Sequence, residues 1–345
     1  MKLYFSILTT LIFSSCANIV PPTGGAKDSQ PPQLINSVEI LNKQNNQIEK
    51  VILFFDEKIV EHQFVGNFYS SPPLEDLNYN VKSKSVELTF KNISESNNWI
   101  FLDNCIKDLN EGNILNSLDY QIANSTDDTL YSFHVELINS FTGEKEKNSW
   151  VILYNDSVSD SQIFNVLPSY ISKTNENGIA KFKDNIKLGK YQIGSLSGSD
   201  YIYHEEELTS FSDNLINIEV DSSIVLYSFN PLQKIDSIEI IKDSTIIKGG
   251  RLTLKTDLSD VVIVQLLKGK TVILQEQFEN TRNFNLKNIA TGEYTLRAFH
   301  DENGNGYWDT GNFTEKKQAE RMCYYPEKIT IRENWDLELS WITKE

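Results

Sequence analysis

Hydrophobic and polar residues alternate through most of this chain in short runs separated by turn-forming residues. A period of two puts one side of an extended segment in a core and the other in water, so the pattern predicts strands. Val86-Glu87-Leu88-Thr89-Phe90 and Tyr131 to Leu137 alternate cleanly, and Trp150-Val151-Ile152-Leu153-Tyr154 reads the same way. Ile48 to Phe55 is a central-strand candidate ended by Asp56-Glu57, and Trp99 to Leu102 supplies another strand. Ile106 to Asn113 carries the Asn and Gly of a reversing turn, and Asn177-Gly178 is a hairpin signal between Thr174 and Phe182. Val261 to Leu267, Val272 to Leu274 and Trp335 to Trp341 complete the later strands. Gly292-Glu293-Tyr294-Thr295-Leu296 repeats the wording of Gly189-Lys190-Tyr191-Gln192-Ile193, which suggests two modules of similar topology in tandem. No run holds a helical period over a convincing length.

The start of the chain differs from this pattern. Lys2 precedes an apolar run from Leu3 to Phe13, too short for a permanent membrane span, and the run ends on Ser14-Ser15-Cys16. Residues 17 to 33 hold two Pro-Pro pairs and Gly24-Gly25, the composition of a flexible tether. The expected organisation is a signal peptide over 1–15, an anchor and tether over 16–33, and three β-sandwiches over 34–126, 127–225 and 226–345. No later stretch reaches eighteen apolar residues, so the remainder is expected to be soluble apart from its anchor.

Composition narrows the function classes. A formal charge of −16, spread along 345 residues without a Lys/Arg cluster, repels phosphate backbones and argues against a nucleic-acid partner. Cys105 and Cys323 lie far apart, and two isolated thiols are expected in preference to a disulfide.

Phe13-Ser14-Ser15-Cys16 resembles a bacterial lipobox, with Phe13 where leucine is usual. The resemblance implies that Cys16 is lipidated and becomes the mature N-terminus in the lipid bilayer. The alternative is an ordinary signal peptide in which Cys16 is incidental. The start CANIVPPTGGAKDSQPPQLI, the run VILFFDEKIV, Ser71-Pro72-Pro73 and the Ile106–Asn113 turn resemble lipoproteins of the Bacteroidota that carry a bacterial immunoglobulin-like domain after the tether. The NG turn followed by Leu188-Gly189-Lys190-Tyr191 resembles carboxypeptidase-regulatory-like or transthyretin-like modules. Together these imply an all-β chain of tandem Ig-like and transthyretin-like β-sandwiches in the cell envelope. The outer membrane is the expected site, with its periplasmic or surface face open.

The sharpest local signal is His300-Asp301-Glu302-Asn303-Gly304-Asn305-Gly306-Tyr307-Trp308-Asp309. Asp301, Asn303, Asn305, the Tyr307 carbonyl and Asp309 fall at positions 1, 3, 5, 7 and 9 of a calcium-loop pattern, with Gly306 at position 6. Asn312 replaces the bidentate glutamate at position 12, and Glu302, Glu315 or Glu320 could supply that carboxylate instead. The two readings are a structural Ca2+ site and an Asx-rich turn without metal. Trp308 is expected to cover the loop or anchor it, anchoring being the better fit.

No catalytic constellation stands out. The four histidines, His62, His134, His204 and His300, have no second His or Cys at ligand spacing, and Ser195 lacks the spacing of a nucleophile elbow. The favoured function is a non-catalytic cell-envelope lipoprotein of structural, scaffolding or adhesion type, with a protein or glycan partner in the envelope. A carbohydrate-binding accessory lipoprotein of a surface uptake system is the second reading, and a carboxylate-based hydrolase the third.

Overall fold

The computed structural model describes residues 27–43, 47–91, 93, 97–122, 130–233 and 249–343. Cys16, the signal segment and the first part of the tether lie outside the described residues. The chain is all-β: among the described residues the one helical element is a single 3-10 turn, Asp160–Gln162. The sheets are small, mostly antiparallel, and divide along the sequence into three sets that share no strand.

The first set holds β1 (Leu34–Leu41), β2 (Ile48–Phe55), β3 (Ile59–Glu61), β4 (Phe68–Ser71), β5 (Glu75–Lys82), β6 (Ser85–Lys91), β7 (Asn98–Leu102), β8 (Ile106–Asp108) and β9 (Leu118–Ile122). They form sheets ordered β1-β2-β6-β5, β4-β7-β9 and β3-β8. Alternation does what it predicts here. Val51, Leu53 and Phe55 of β2 meet Val86, Leu88 and Phe90 of β6 and Ile100 and Leu102 of β7 in one core, while the intervening residues face outward. Cys105 is buried in that core, and neither Cys105 nor Cys323 is in a disulfide.

The second set holds β10 (Leu130–Asn139), β11 (Trp150–Asn155), β12 (Tyr170–Lys173), β13 (Ile179–Lys187), β14 (Lys190–Leu196), β15 (Thr209–Phe211), β16 (Ile216–Asn217) and β17 (Ser223–Ser228). The third holds β18 (Gly250–Thr256), β19 (Val261–Lys268), β20 (Thr271–Glu279), β21 (Asn283–Ile289), β22 (Gly292–His300), β23 (Met322–Tyr324), β24 (Ile329–Ile331) and β25 (Asp336–Trp341). Their topologies coincide strand for strand. The order β13-β10-β17 matches β21-β18-β25, and β12-β11-β14-β15 with β16 on β14 matches β20-β19-β22-β23 with β24 on β22. In both, the last strand runs parallel to the first. The repeated G-x-Y wording sits at equivalent places, at the start of β14 and β22. Tyr191 and Tyr294 are buried, and their hydroxyls donate to the carbonyls of Lys187 and Ala290, both at 2.8 Å.

Two sequence expectations are corrected. The boundary expected at 225/226 falls inside β17, which pairs with β10 through Ser228, so the second set continues to the end of that strand. Trp150 to Tyr154 is not a half-wet strand either, because all five residues are buried. Val151 and Leu153 point into their own core, while Trp150, Ile152 and Tyr154 point the other way and pack with Tyr69 and Phe101 of the first set. The run Val261–Leu267 behaves alike: Val262, Val264 and Leu266 fill the third core, and Ile263 joins Phe211 and Phe229 of the second set. A run that is apolar at outward as well as inward positions therefore marks a strand covered on both faces.

These outward faces make two apolar seams. Along the first, Tyr69 stacks on Phe101 at 4.7 Å and meets Trp150 edge-on at 5.0 Å. Asn185 donates to the Ser71 carbonyl at 2.9 Å, Lys173 donates to the Gly66 carbonyl at 2.6 Å, and Lys183 pairs with Asp119. The second seam runs through the loop that carries the calcium-like motif.

Candidate metal-binding loop

β22 delivers the chain into the loop at His300, and β23 takes it back at Met322. Asp301 is 3% exposed, and its carboxylate organises the turn. Oδ1 accepts from the Gly304 and Asn305 N–H groups at 2.8 and 3.1 Å, and Oδ2 accepts from the Gly306 N–H at 2.8 Å. Gly304 and Gly306, at φ +71° and +79°, take the left-handed backbone that L side chains rarely adopt, and this turns those N–H groups inward. The Asn303 and Asn305 Oδ1 atoms accept from the N–H groups two residues on, at 3.0 and 2.7 Å. Both carboxamide nitrogens then donate to Asp309 Oδ2, that of Asn305 at 2.8 Å. Lys317 Nζ stands 3.8 Å from the same oxygen.

The structure thus brings Asp301, Asn303, Asn305 and Asp309 into one loop, while the Tyr307 ring is exposed. Two carboxylates, two amide oxygens and a carbonyl are the hard donors that calcium takes. As arranged, however, the polar groups satisfy one another, and the two carboxamides turn their NH2 groups toward Asp309. To serve as donors, both would rotate so that oxygen replaces nitrogen at that point.

Of the three glutamates considered as a completing carboxylate, Glu302 and Glu315 are exposed, and Glu320 reaches the loop. Glu320 is 4% exposed; Oε1 accepts from the Glu302 N–H at 2.9 Å and Oε2 from the Asp309 N–H at 3.0 Å, which ties the two ends of the loop together. Burial pushes its carboxyl up to about 7 against the opposing pull of those two N–H groups, with the charges of Asp309 and Asp301 adding to the rise.

The same loop is a wedge between the second and third sets. Trp308 is buried, meets Phe141 edge-on at 4.8 Å, and donates from Nε1 to the Glu320 carbonyl at 2.5 Å, so it anchors the loop. Phe313 packs on Phe164, Tyr203 and Phe211 at 5.0–5.8 Å. Thr310 donates to the Asn230 carbonyl at 2.6 Å, and Gln318 to the Phe211 carbonyl at 3.1 Å. A Cβ on Gly311 would lie 2.6 Å from the Phe229 ring, so only glycine allows this approach.

A second aspartate-capped turn lies in the first set, where sequence reading saw only a polar reversal. Asp108 Oδ1 accepts from Glu111 and Gly112 at 2.5 and 3.0 Å, and Oδ2 from Asn113 at 2.6 Å. Burial pulls its carboxyl upward, but the N–H groups of the turn outweigh burial and hold it below the usual range. The signal was present as Asp108-Leu109-Asn110-Glu111-Gly112-Asn113, the same Asx and glycine vocabulary as the later loop. Glu57 and Glu111 bring carboxylate oxygens within 4.8 Å of that of Asp108. Elsewhere, His134 and His204 are exposed, and Ser195 is buried with its hydroxyl 2.6 Å from that of Ser210.

Fold and loop together define an all-β chain of several small sheets with two aspartate-capped turns. No protein-family model matches the chain, and no curated protein matches it. Among solved structures, fervidolysin from Fervidobacterium pennivorans, a keratinolytic enzyme related to subtilisin, is 13% identical at a TM-score of 0.22, covering 52% of this chain and 26% of that one. The Bacillus anthracis TIE protein is 11% identical at 0.21, covering 93% and 59%. Native alpha-2-macroglobulin from Escherichia coli, spanning domains MG0-NIE-MG1, is 11% identical at 0.21, covering 85% and 96%. The chain spans about a quarter of the first and three fifths of the second. Likenesses this distant carry no argument about this chain.

Proposed function

We propose that this protein is a non-catalytic envelope lipoprotein: a lipid anchor at Cys16, a Pro/Gly tether, and an Ig-like module followed by two transthyretin-like β-sandwiches. Its work is to present these modules to a protein or glycan partner at a membrane, the outer membrane being the expected site. The observation that carries this reading is the filling of both seams. Large apolar side chains pack across both junctions: Trp150, Ile152, Tyr154 and Phe164 at one, and Trp308, Phe229 and Phe299 at the other. Junctions packed like cores suit a stiff presenter of surfaces better than a hinged catalyst.

In this reading the Asp301–Asp309 loop is a joint. A structural Ca2+ would be held by Asp301, Asn303, Asn305, the Tyr307 carbonyl and Asp309, and would stiffen the third module against the second. Palmitate-analogue labelling tests the anchor. The wild type should be labelled and sediment with membranes, and Cys16→Ser should lose both properties; labelling that survives the substitution refutes the anchor.

A further inference from the structure

Beside the second seam, where its apolar filling ends, lies a cleft of about 590 Å3. That volume is within the ~300–1,000 Å3 typical of small-ligand sites. Its walls include Tyr227 from β17, Tyr324 and Tyr325 at the end of β23, and Trp341 at the end of β25, with His300 and Arg321 at the polar positions. No Asp or Glu lines it, in a chain with 48 acidic and 32 basic residues. Two carboxylates adjoining its lining residues are engaged elsewhere: Asp301 by the loop N–H groups, and Asp257 by the Thr343 N–H and hydroxyl at 2.9 and 3.0 Å.

Arg321 is the informative residue. Its guanidinium lies 4.8 Å from the Tyr227 ring centroid, and among the described residues no carboxylate pairs with it. Arg321 is exposed and its guanidinium sits over a ring rather than against a carboxylate, so its N–H groups are available for bidentate capture of one. Tyr227, Tyr324 and Tyr325 bring aromatic rings and hydroxyls to the lining, and Arg297 donates to the Tyr324 hydroxyl at 3.3 Å.

We propose that this cleft binds a short acidic saccharide, a sugar ring lying against the tyrosines and a uronate carboxylate on Arg321. An acidic peptide would use the arginine but leave the aromatic walls without the C–H faces that a pyranose presents to them. This site goes beyond the presenter reading and does not depend on the anchor.

Calorimetric titration of the folded chain with tetragalacturonate tests it, with the fully methyl-esterified tetramer and tetraglutamate as comparisons. The acid should bind at least about tenfold more tightly than its ester, because one charge-assisted pair is at stake. Arg321→Glu should abolish that preference and Arg321→Lys restore part of it, with melting curves showing both variants folded. Equal binding of acid and ester, unchanged binding by Arg321→Glu, or no binding at millimolar concentration overturns the proposal. Tetraglutamate binding as tightly as tetragalacturonate overturns the saccharide assignment.

Discussion

Replacing Asp301 by alanine should unfold the joint between the second and third modules before anything else. The carboxylate is buried and receives three backbone N–H groups, from Gly304, Asn305 and Gly306. A hydrogen bond to a charged group contributes about 1.5–3 kcal/mol net. The three share one carboxylate, and in the variant water reaches part of the turn, so the expected loss is about 3 kcal/mol rather than the sum. For a unit of about 100 residues, 1 kcal/mol moves the midpoint by about 4–8 °C. Asp301→Ala should therefore melt more than about 10 °C below wild type in differential scanning calorimetry, and the emission of buried Trp308 should shift to the red. Asp301→Asn keeps one acceptor oxygen for Gly304 and Asn305 but turns an NH2 toward the Gly306 N–H, and should lie between the two. A loss below about 1 kcal/mol for alanine, with Trp308 emission unchanged, would refute the idea that this carboxylate organises the loop.

Gly311→Ala drives a Cβ into the Phe229 ring and should cost about 1–3 kcal/mol by overpacking the second seam, read by urea denaturation; a neutral result would mean that the modules separate easily there. Calcium at about a hundred times its dissociation constant should raise stability by about 2.7 kcal/mol, and Asp309→Ala should remove that gain; no shift in the wild-type midpoint at millimolar calcium sinks the metal reading. Asp108 has a depressed carboxyl pKa in the fold, so its stabilisation is present above the unfolded value near 4 and is lost as pH falls through the lower folded value. The stability gap between wild type and Asp108→Asn should thus be constant above about pH 4 and shrink in stronger acid; a gap that widens on acidification contradicts the cap. Burial pushes the Cys105 thiol up to about 12, so it should resist a thiol reagent at pH 8 until the protein is denatured.

Strands with one wet face were legible because alternation depends only on local order, as β6 and β10 show. What lay outside local order was harder. The parallel pairing of β10 with β17 joins residues about ninety positions apart, and no pattern within either strand announces its partner. The two-sided cover of Trp150 to Tyr154 is visible locally only when the outward residues Trp150, Ile152 and Tyr154 are weighed as being as apolar as the inward ones; which module covers them is not. In the loop, the Asp301-to-Asp309 spacing was visible, and Glu320 stood among three candidates. Its role as a tie across the loop depends on the return of the chain after Thr310–Ala319, which spacing alone does not fix. In sequence Asp108 is one aspartate before Asn110 and Gly112, a pattern common to many turns. Only its three converging N–H groups distinguish it.

Mass spectrometry of the N-terminal peptide, from protein extracted out of membranes, tests the anchored-presenter reading most directly. The expected result is a peptide that begins at Cys16 and carries acyl chains on that residue. An unmodified peptide, or one that begins at another position, would contradict it.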